Sequence, residues 1–156
     1  MSVEEHLRFY AAIKGVPNDC RKQVVEDVIQ DLDLDAYRST TAGSLSGGWK
    51  RKLCVAIAII GNPPIVLLDE PSAGMDPEAR RFMWQVIERQ LCQKDGKKST
   101  VVLSTHSMEE AEALSTKMAI MVRGGLLRCF GSAQHIKNKF ATGYEIELNI
   151  RLPSAD

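Results

Sequence analysis

Apolar positions recur at helical spacing through the first third of the chain. Leu7, Tyr10, Ala11 and Lys14 fall on one face before Gly15-Val16-Pro17-Asn18 interrupts the pattern, and Val24, Val25, Val28, Ile29 and Leu32 mark a second stripe. Residues 4–36 are therefore expected to form an αα-hairpin. Ser39 to Gly48, rich in Ser, Thr and Gly, reads as a loop that feeds a third helix. Its stripe is Leu53, Ala56, Ile57 and Ile60, and Gly61-Asn62-Pro63-Pro64 ends it.

Beyond Pro64 the pattern changes to alternating strand and helix. Ile65-Val66-Leu67-Leu68 is a short, continuous apolar run, as expected of a strand buried on both faces of a parallel sheet. Asp76 is placed to cap a helix that starts at Pro77, with Ala79, Phe82, Met83, Val86, Ile87 and Leu91 as its stripe. After a polar turn at Lys94-Asp95-Gly96-Lys97-Lys98, Thr100 to Ser104 is predicted as a second buried strand. Ser107-Met108-Glu109-Glu110 spells a capping box for a helix to about Lys117. Met118 to Val122 is a third strand, turning at Arg123-Gly124-Gly125 into Leu126 to Phe130 as a hairpin. Ala133 to Phe140 reads as a short helix, and Tyr144 to Leu152 alternates as a strand with one wet face does. This order means the α/β class, with at least part of a parallel sheet.

Composition narrows the function classes. At 156 residues, 44% hydrophobic and 26% charged, the chain has the makeup of one ordinary globular domain. Twenty basic against 20 acidic residues leave no net charge, which argues against a polyanion-coating surface and so against nucleic acid as a partner. Cys20, Cys54, Cys92 and Cys129 are scattered without a metal or dithiol spacing, and are expected to be reduced, mostly buried thiols of a cytosolic compartment. Leu53 to Ile60, the longest apolar run, is far short of a bilayer span, and the N-terminus lacks the pattern of a signal peptide.

Three local features carry candidate chemistry. The apolar strand ends in two adjacent carboxylates, Asp69-Glu70, at the end where open α/β sheets bind ligands. One acid suits a hard cation and the other a proton from an attacking water; a turn or helix cap is the plainer use. Leu45-Ser46-Gly47-Gly48 opens directly into a helix, where backbone N–H groups can meet an anion. Lys50-Arg51-Lys52 in that first turn sits at the unfavourable end of the helix dipole, unless something anionic is near; a solvated basic face is the plainer use. His106 follows the second strand and could polarise a terminal phosphate, or merely occupy the surface. His6 and His135 have no such setting.

Taken in order, these features resemble the ATP-binding-cassette (ABC) ATPase family from about Val3 to Leu127. Leu45-Ser46-Gly47-Gly48 matches its signature motif and Ile65 to Asp69 its Walker B strand, with Glu70 as the catalytic base. Ser72-Ala73-Gly74-Met75-Asp76 matches the D-loop, and Ser104-Thr105-His106 the switch histidine. The resemblance implies a P-loop NTPase-type domain in part, a helical subdomain followed by the C-terminal portion of the parallel-sheet core. It implies ATP and Mg²⁺ as cofactors, with Asp69 holding the metal, Glu70 activating water and His106 sensing the γ-phosphate. Ser46, Gly47, Gly48 and Asp76 would contact ATP carried by an opposite subunit. The expected segments are 1–62 (helical subdomain), 63–131 (Walker B, D-loop and switch histidine) and 132–156 (start of a C-terminal regulatory extension).

The wording most resembles subfamily A, the eukaryotic lipid exporters, as in Glu5-His6-Leu7-Arg8-Phe9-Tyr10 and Asp69-Glu70-Pro71-Ser72-Ala73-Gly74-Met75-Asp76-Pro77. That implies a second nucleotide-binding domain and transmembrane domains as partners, and a place at the cytoplasmic face of a membrane. Two departures stand out. Trp49 replaces the glutamine usual after the signature glycines, and no G-x-x-x-x-G-K-[ST] loop occurs: Gly43 and Gly48 have its spacing, but Trp49 stands where lysine is required. The chain is therefore expected to be a C-terminal portion of a nucleotide-binding domain, inactive alone. Alternatives are a non-catalytic module docking on a complete ABC ATPase, or part of a bacterial-type drug exporter. Chromosome-maintenance and DNA-repair ATPases share two motifs, but their long heptad helices are missing.

Overall fold

Ser2-Val3-Glu4-Glu5 closes the first turn of helix α1 (Val3–Ile13) as a capping box. Ser2 Oγ accepts the Glu5 N–H at 3.3 Å, and Glu5 Oε2 accepts the Ser2 N–H at 2.7 Å. Gly15 turns the chain at φ +78°, and α2 (Asn18–Asp31) runs back against α1. Helix α3 (Gly47–Ile59) then packs on α1. Lys14 clamps that contact by donating to the Ile57 and Ala58 carbonyls at 2.7 Å each, a cation placed at a helix C-terminus. Glycine is required at position 61, where φ is +78° and a Cβ would meet Val16 Cγ2 at 3.1 Å.

The computed structural model describes residues 1–91 and 99–140, in two compact units, Met1–Leu114 and Ser115–Asp156. In the first unit, strands β1 (Ile65–Asp69) and β2 (Thr100–Ser104) pair in parallel, from Ile65 opposite Thr100 to Asp69 opposite Ser104. Helices α4 (Pro77–Leu91) and α5 (Met108–Leu114) follow them. One hydrophobic core runs through this unit, from Val3, Leu7 and Ile29 through Leu53, Ile59 and Leu68 to Met83 and Ile87, and so continues across residues 62 and 63. At about 25 cal/mol per Å² of apolar surface removed from water, burial of this kind is the main force fixing α3 and β1 to one another.

Several expectations change here. The strands are not buried on both faces. Val66 and Leu68 join the core, but Ile65, Leu67 and Val102 are 63%, 73% and 55% exposed, because no described part of the unit covers their side of the sheet. Only half of the box at Ser107 forms: its Oγ accepts the Glu110 N–H at 3.3 Å, whereas the Glu110 carboxylate is fully buried and accepts Trp84 Nε1–H at 2.9 Å. Helix α5 ends at Leu114, short of Lys117. Cys20 and Cys54 are exposed and Cys129 half-buried, so the described thiols are not the buried set expected. Cys92, the turn at Lys94 to Lys98, the Leu91 side chain and the strand from Tyr144 to Leu152 lie outside the described residues.

The second unit is an antiparallel hairpin, β3 (Met118–Val122) and β4 (Leu126–Gly131), with a register shift between Ile120 and Met121. Gly124 and Gly125 make its turn at φ +85° and +75°, where only glycine is unstrained. Helix α6 (Ala133–Phe140) is capped by Ser132 Oγ, which accepts the His135 N–H at 3.2 Å, and it buries Ile136. No described helix is long and apolar enough to cross a membrane.

Candidate functional site

The parallel register of β1 and β2 sets Asp69 directly beside Ser104. Ser104 Oγ donates a short hydrogen bond to Asp69 Oδ1 and accepts the Glu70 N–H at 3.3 Å; the Ser104 carbonyl accepts that same N–H at 3.1 Å. Glu70 takes φ +49°, a left-handed conformation costly for a residue with a Cβ and most often retained at functional sites. The turn is locked behind it by the Ala73 N–H donating to the Glu70 carbonyl at 3.2 Å. His106 Nδ1 then lies 2.8 Å from Glu70 Oε2, with the imidazole 79% exposed and the Glu70 side chain 32% exposed. In the neutral ring tautomer that carries its proton on Nδ1, this nitrogen donates to the carboxylate.

A second group gathers at the start of α3. Ser46 holds the N-cap position in extended geometry, yet its hydroxyl caps nothing. Gly47 and Gly48 have ordinary helical torsions, and a Cβ on either would meet nothing within 4 Å. A cleft of about 250 Å³ opens beside them, lined by Ser46, Gly48, Trp49 and Lys52 on one side and by Gly74 and Asp76 on the other. Gly74 turns at φ +74°, and Asp76 Oδ1 caps α4 by accepting the Glu78 and Ala79 N–H groups at 3.1 and 2.9 Å. Those amides, Ala79 first, hold the Asp76 carboxyl below its ordinary range. Trp49 stacks on Tyr37 with ring centroids 4.2 Å apart, so its bulk is absorbed at the helix start.

The candidate residues therefore fall into two sets. Asp69, Glu70 and His106 meet at the strand ends, whereas Ser46, Gly48 and Asp76 face one cleft with Gly47 between the first two. Arg51 connects the sets, its Nη1 donating to the Asp69 carbonyl at 3.4 Å. Asp69, exposed at its strand end with one oxygen engaged by Ser104, fits the way Mg²⁺ is held, through one or two carboxylates with water and substrate phosphates completing the octahedron. Sequence reading gave no separate role to Ser104 or Arg51, and it left Lys52, with Lys50 and Arg51, between a nearby anion and a solvated basic face. Only the strand register and the turn of α3 reveal them.

Residues 1–73 match the sequence family described as ABC transporter. Over 152 residues the chain is 50% identical to the human retinal-specific phospholipid-transporting ATPase ABCA4, covering 97% of this chain and 6% of that protein. The mouse glucosylceramide transporter ABCA12 is 44% identical over 151 residues, again 97% of this chain and 6% of the relative. A solved structure described as an ATP binding subunit of an ABC transporter superposes with a TM-score of 0.76 at 26% identity, over 90% of this chain and 56% of that one. The fold is thus that of part of an ABC-type ATPase domain of the P-loop NTPase class. The chain is similar to part of the ABC transporters, and the two relatives named here are of subfamily A.

Proposed function

We propose that this chain supplies the signature, Walker B, D-loop and switch-histidine parts of an ATP-hydrolysing site that drives transport across a membrane. The reading is carried by one observation: Asp69, Glu70 and His106 converge at the carboxyl ends of two parallel strands, where ligands of open α/β sheets bind. In that site Glu70 accepts the proton of the attacking water at Oε1 or Oε2. His106 donates Nδ1–H to the carboxylate, and in its doubly protonated form it also donates Nε2–H to a terminal phosphate. Bound Mg²⁺ would neutralise phosphate charge, with Asp69 as its protein anchor. Ser46 to Gly48, together with Asp76, face ATP carried by a second nucleotide-binding domain packed head to tail.

Lipid is the cargo class that the names of the relatives suggest, phospholipid in one and glucosylceramide in another. Coupling would run through transmembrane domains, with the ATPase part on the cytoplasmic face. Since no G-x-x-x-x-G-K-[ST] loop occurs in the sequence, phosphate binding here is incomplete without residues from elsewhere. The test is ATP binding and turnover by the 156-residue chain alone and by the same chain joined to the Walker A-bearing region of a subfamily A relative. A large gain in both is expected on joining, and robust turnover by the chain alone overturns the reading.

A further inference from the structure

Lys52 is the one buried lysine among the described residues, with 8% of its surface exposed. Its ammonium sits between two aromatic faces, Nζ lying 4.1 Å from the Trp49 ring centroid and 4.3 Å from that of Phe82. Tyr37 stacks against Trp49 from outside, so the sandwich is itself held in place. Ring faces attract a cation but do not neutralise it. No hydrogen bond or ion pair to Lys52 is formed among the described residues. Asp33 and Asp76 are near enough to favour its charged form, yet neither comes within ion-pair distance, and Asp76 Oδ1 is already engaged by two amides of α4. Burial opposes the charge, pulling the Lys52 pKa below its ordinary value.

An ammonium drawn partly out of water without an anion is costly, and such groups are normally paired. The side chain lines the cleft shared by Ser46, Gly48 and Asp76. Two further features of that cleft have no reason among the described residues. The Ser46 hydroxyl is left uncommitted, and two glycines open a helix although neither torsion nor crowding requires them. Uncommitted hydroxyl, bare backbone amides and an unpaired cation are the donor set of a phosphate site. Resting on the reading of this cleft as phosphate-facing, we propose that Lys52 is a ligand-facing cation of the signature cleft, steadied by Trp49 and Phe82, whose counterion is the terminal phosphate of a polyphosphate such as a nucleotide. Trp49 then acts as a positioning residue, which gives the replacement of the family's usual glutamine a physical purpose.

The test uses the whole chain, labelled with ¹³C at lysine Cε and ¹⁵N on the backbone, and inorganic pyrophosphate as the probe with sulfate at matched ionic strength as control. Two ring currents displace the Lys52 Cε signal from those of the other lysines, and Lys52→Arg identifies it by its loss. Pyrophosphate should move the Lys52 signal saturably, together with the Gly47 and Gly48 amides, while Lys50 stays still. Lys52→Met, which keeps the apolar stem between the rings, should weaken pyrophosphate binding about tenfold, the scale of one partly screened charge a few ångströms from an anion. Lys52→Arg should retain most of the binding. Equal affinity in Lys52→Met and the parent, with the glycine amides still shifting, overturns the role of Lys52 and leaves the cleft reading intact. Absence of any shift at Gly47 and Gly48 in the parent overturns that reading, and the proposal with it. If Lys52→Met loses the dichroism of the parent, the parent titration decides. Saturable movement of Lys52 supports the proposal, and a still Lys52 beside moving glycine amides overturns it.

Discussion

At the ends of β1 and β2 the polar groups satisfy one another, whereas at the start of α3 they do not. Asp69 and the Glu70 amide are both held by Ser104, and the Glu70 carboxylate meets His106. The strained Glu70 backbone is fixed by hydrogen bonds on either side of it. The hydrogen bonds of the chain itself hold this arrangement, which is what preorganised catalysis needs. Across the first turn of α3, Ser46 caps nothing, a Cβ on Gly47 or Gly48 would meet nothing within 4 Å, and no described anion lies within ion-pair distance of Lys52. One region is arranged by the chain for itself, and on the proposed reading the other awaits a phosphate from outside it. That division suits a site shared between two domains, with each part used by a different ATP.

The largest break in this comparison should come from Glu70. In a complete domain, Glu70→Gln preserves the size of the side chain and its contact with His106 while removing the proton acceptor. A general base is worth roughly 10²- to 10⁴-fold in rate, so turnover should fall within that range while nucleotide affinity stays within about twofold. Steady-state hydrolysis paired with equilibrium nucleotide binding separates the two. Equal loss of affinity would mean that Glu70 holds ligand rather than water.

The opposite behaviour is expected at α3. Glycine in a helix is disfavoured against alanine by about 0.5 to 1 kcal/mol, and nothing surrounds these two positions that an added methyl would strike. Gly47→Ala or Gly48→Ala should therefore raise the stability of the isolated chain by up to about 1 kcal/mol each in urea unfolding. The same substitutions should abolish stimulation of a complete ABC domain by this chain, because the methyl blocks approach of phosphate to the backbone. A variant that gains stability and keeps the stimulation would remove the reason offered here for both glycines.

How much of this was legible from sequence follows the same division. The carboxylate pair, the Ser-Gly-Gly helix start and His106 are local patterns, and the register of β1 with β2 brings Asp69, Glu70 and His106 together without further help. The element order was equally local, since each helix stripe and strand run lies within its own segment. What sequence did not reveal depends on partners far along the chain. Glu110 was expected to complete a cap three residues away, but the half-buried Trp84 indole 26 residues earlier claims its carboxylate. Ile65 and Leu67 look like core by composition, yet burial of a strand face is decided by what lies over it. Lys52 reads as a solvated charge until α3 and α4 place a ring on each side.

Asp76 gives the smallest and most discriminating effect, because it belongs to the cleft by position but to the self-satisfied kind of group by its bonds. Amides of α4, that of Ala79 above all, favour the carboxylate and lower its pKa from the ordinary value of 3.8. The sign follows from linkage. A depressed folded-state pKa adds stability that is fully present above the unfolded value and is lost as pH falls through the folded one. Asp76→Asn keeps an acceptor at the N-cap but cannot ionise. Thermal unfolding should therefore show the parent more stable than Asp76→Asn near neutral pH, with the gap closing as pH drops below about 4. The gap should also shrink with added salt, because the carboxylate is exposed and screened. A difference that persists unchanged into acid would mean that hydrogen-bond geometry, rather than charge, makes Asp76 the cap. The helix would then place no electrostatic demand on the residue, leaving its negative charge to be explained by the cleft alone.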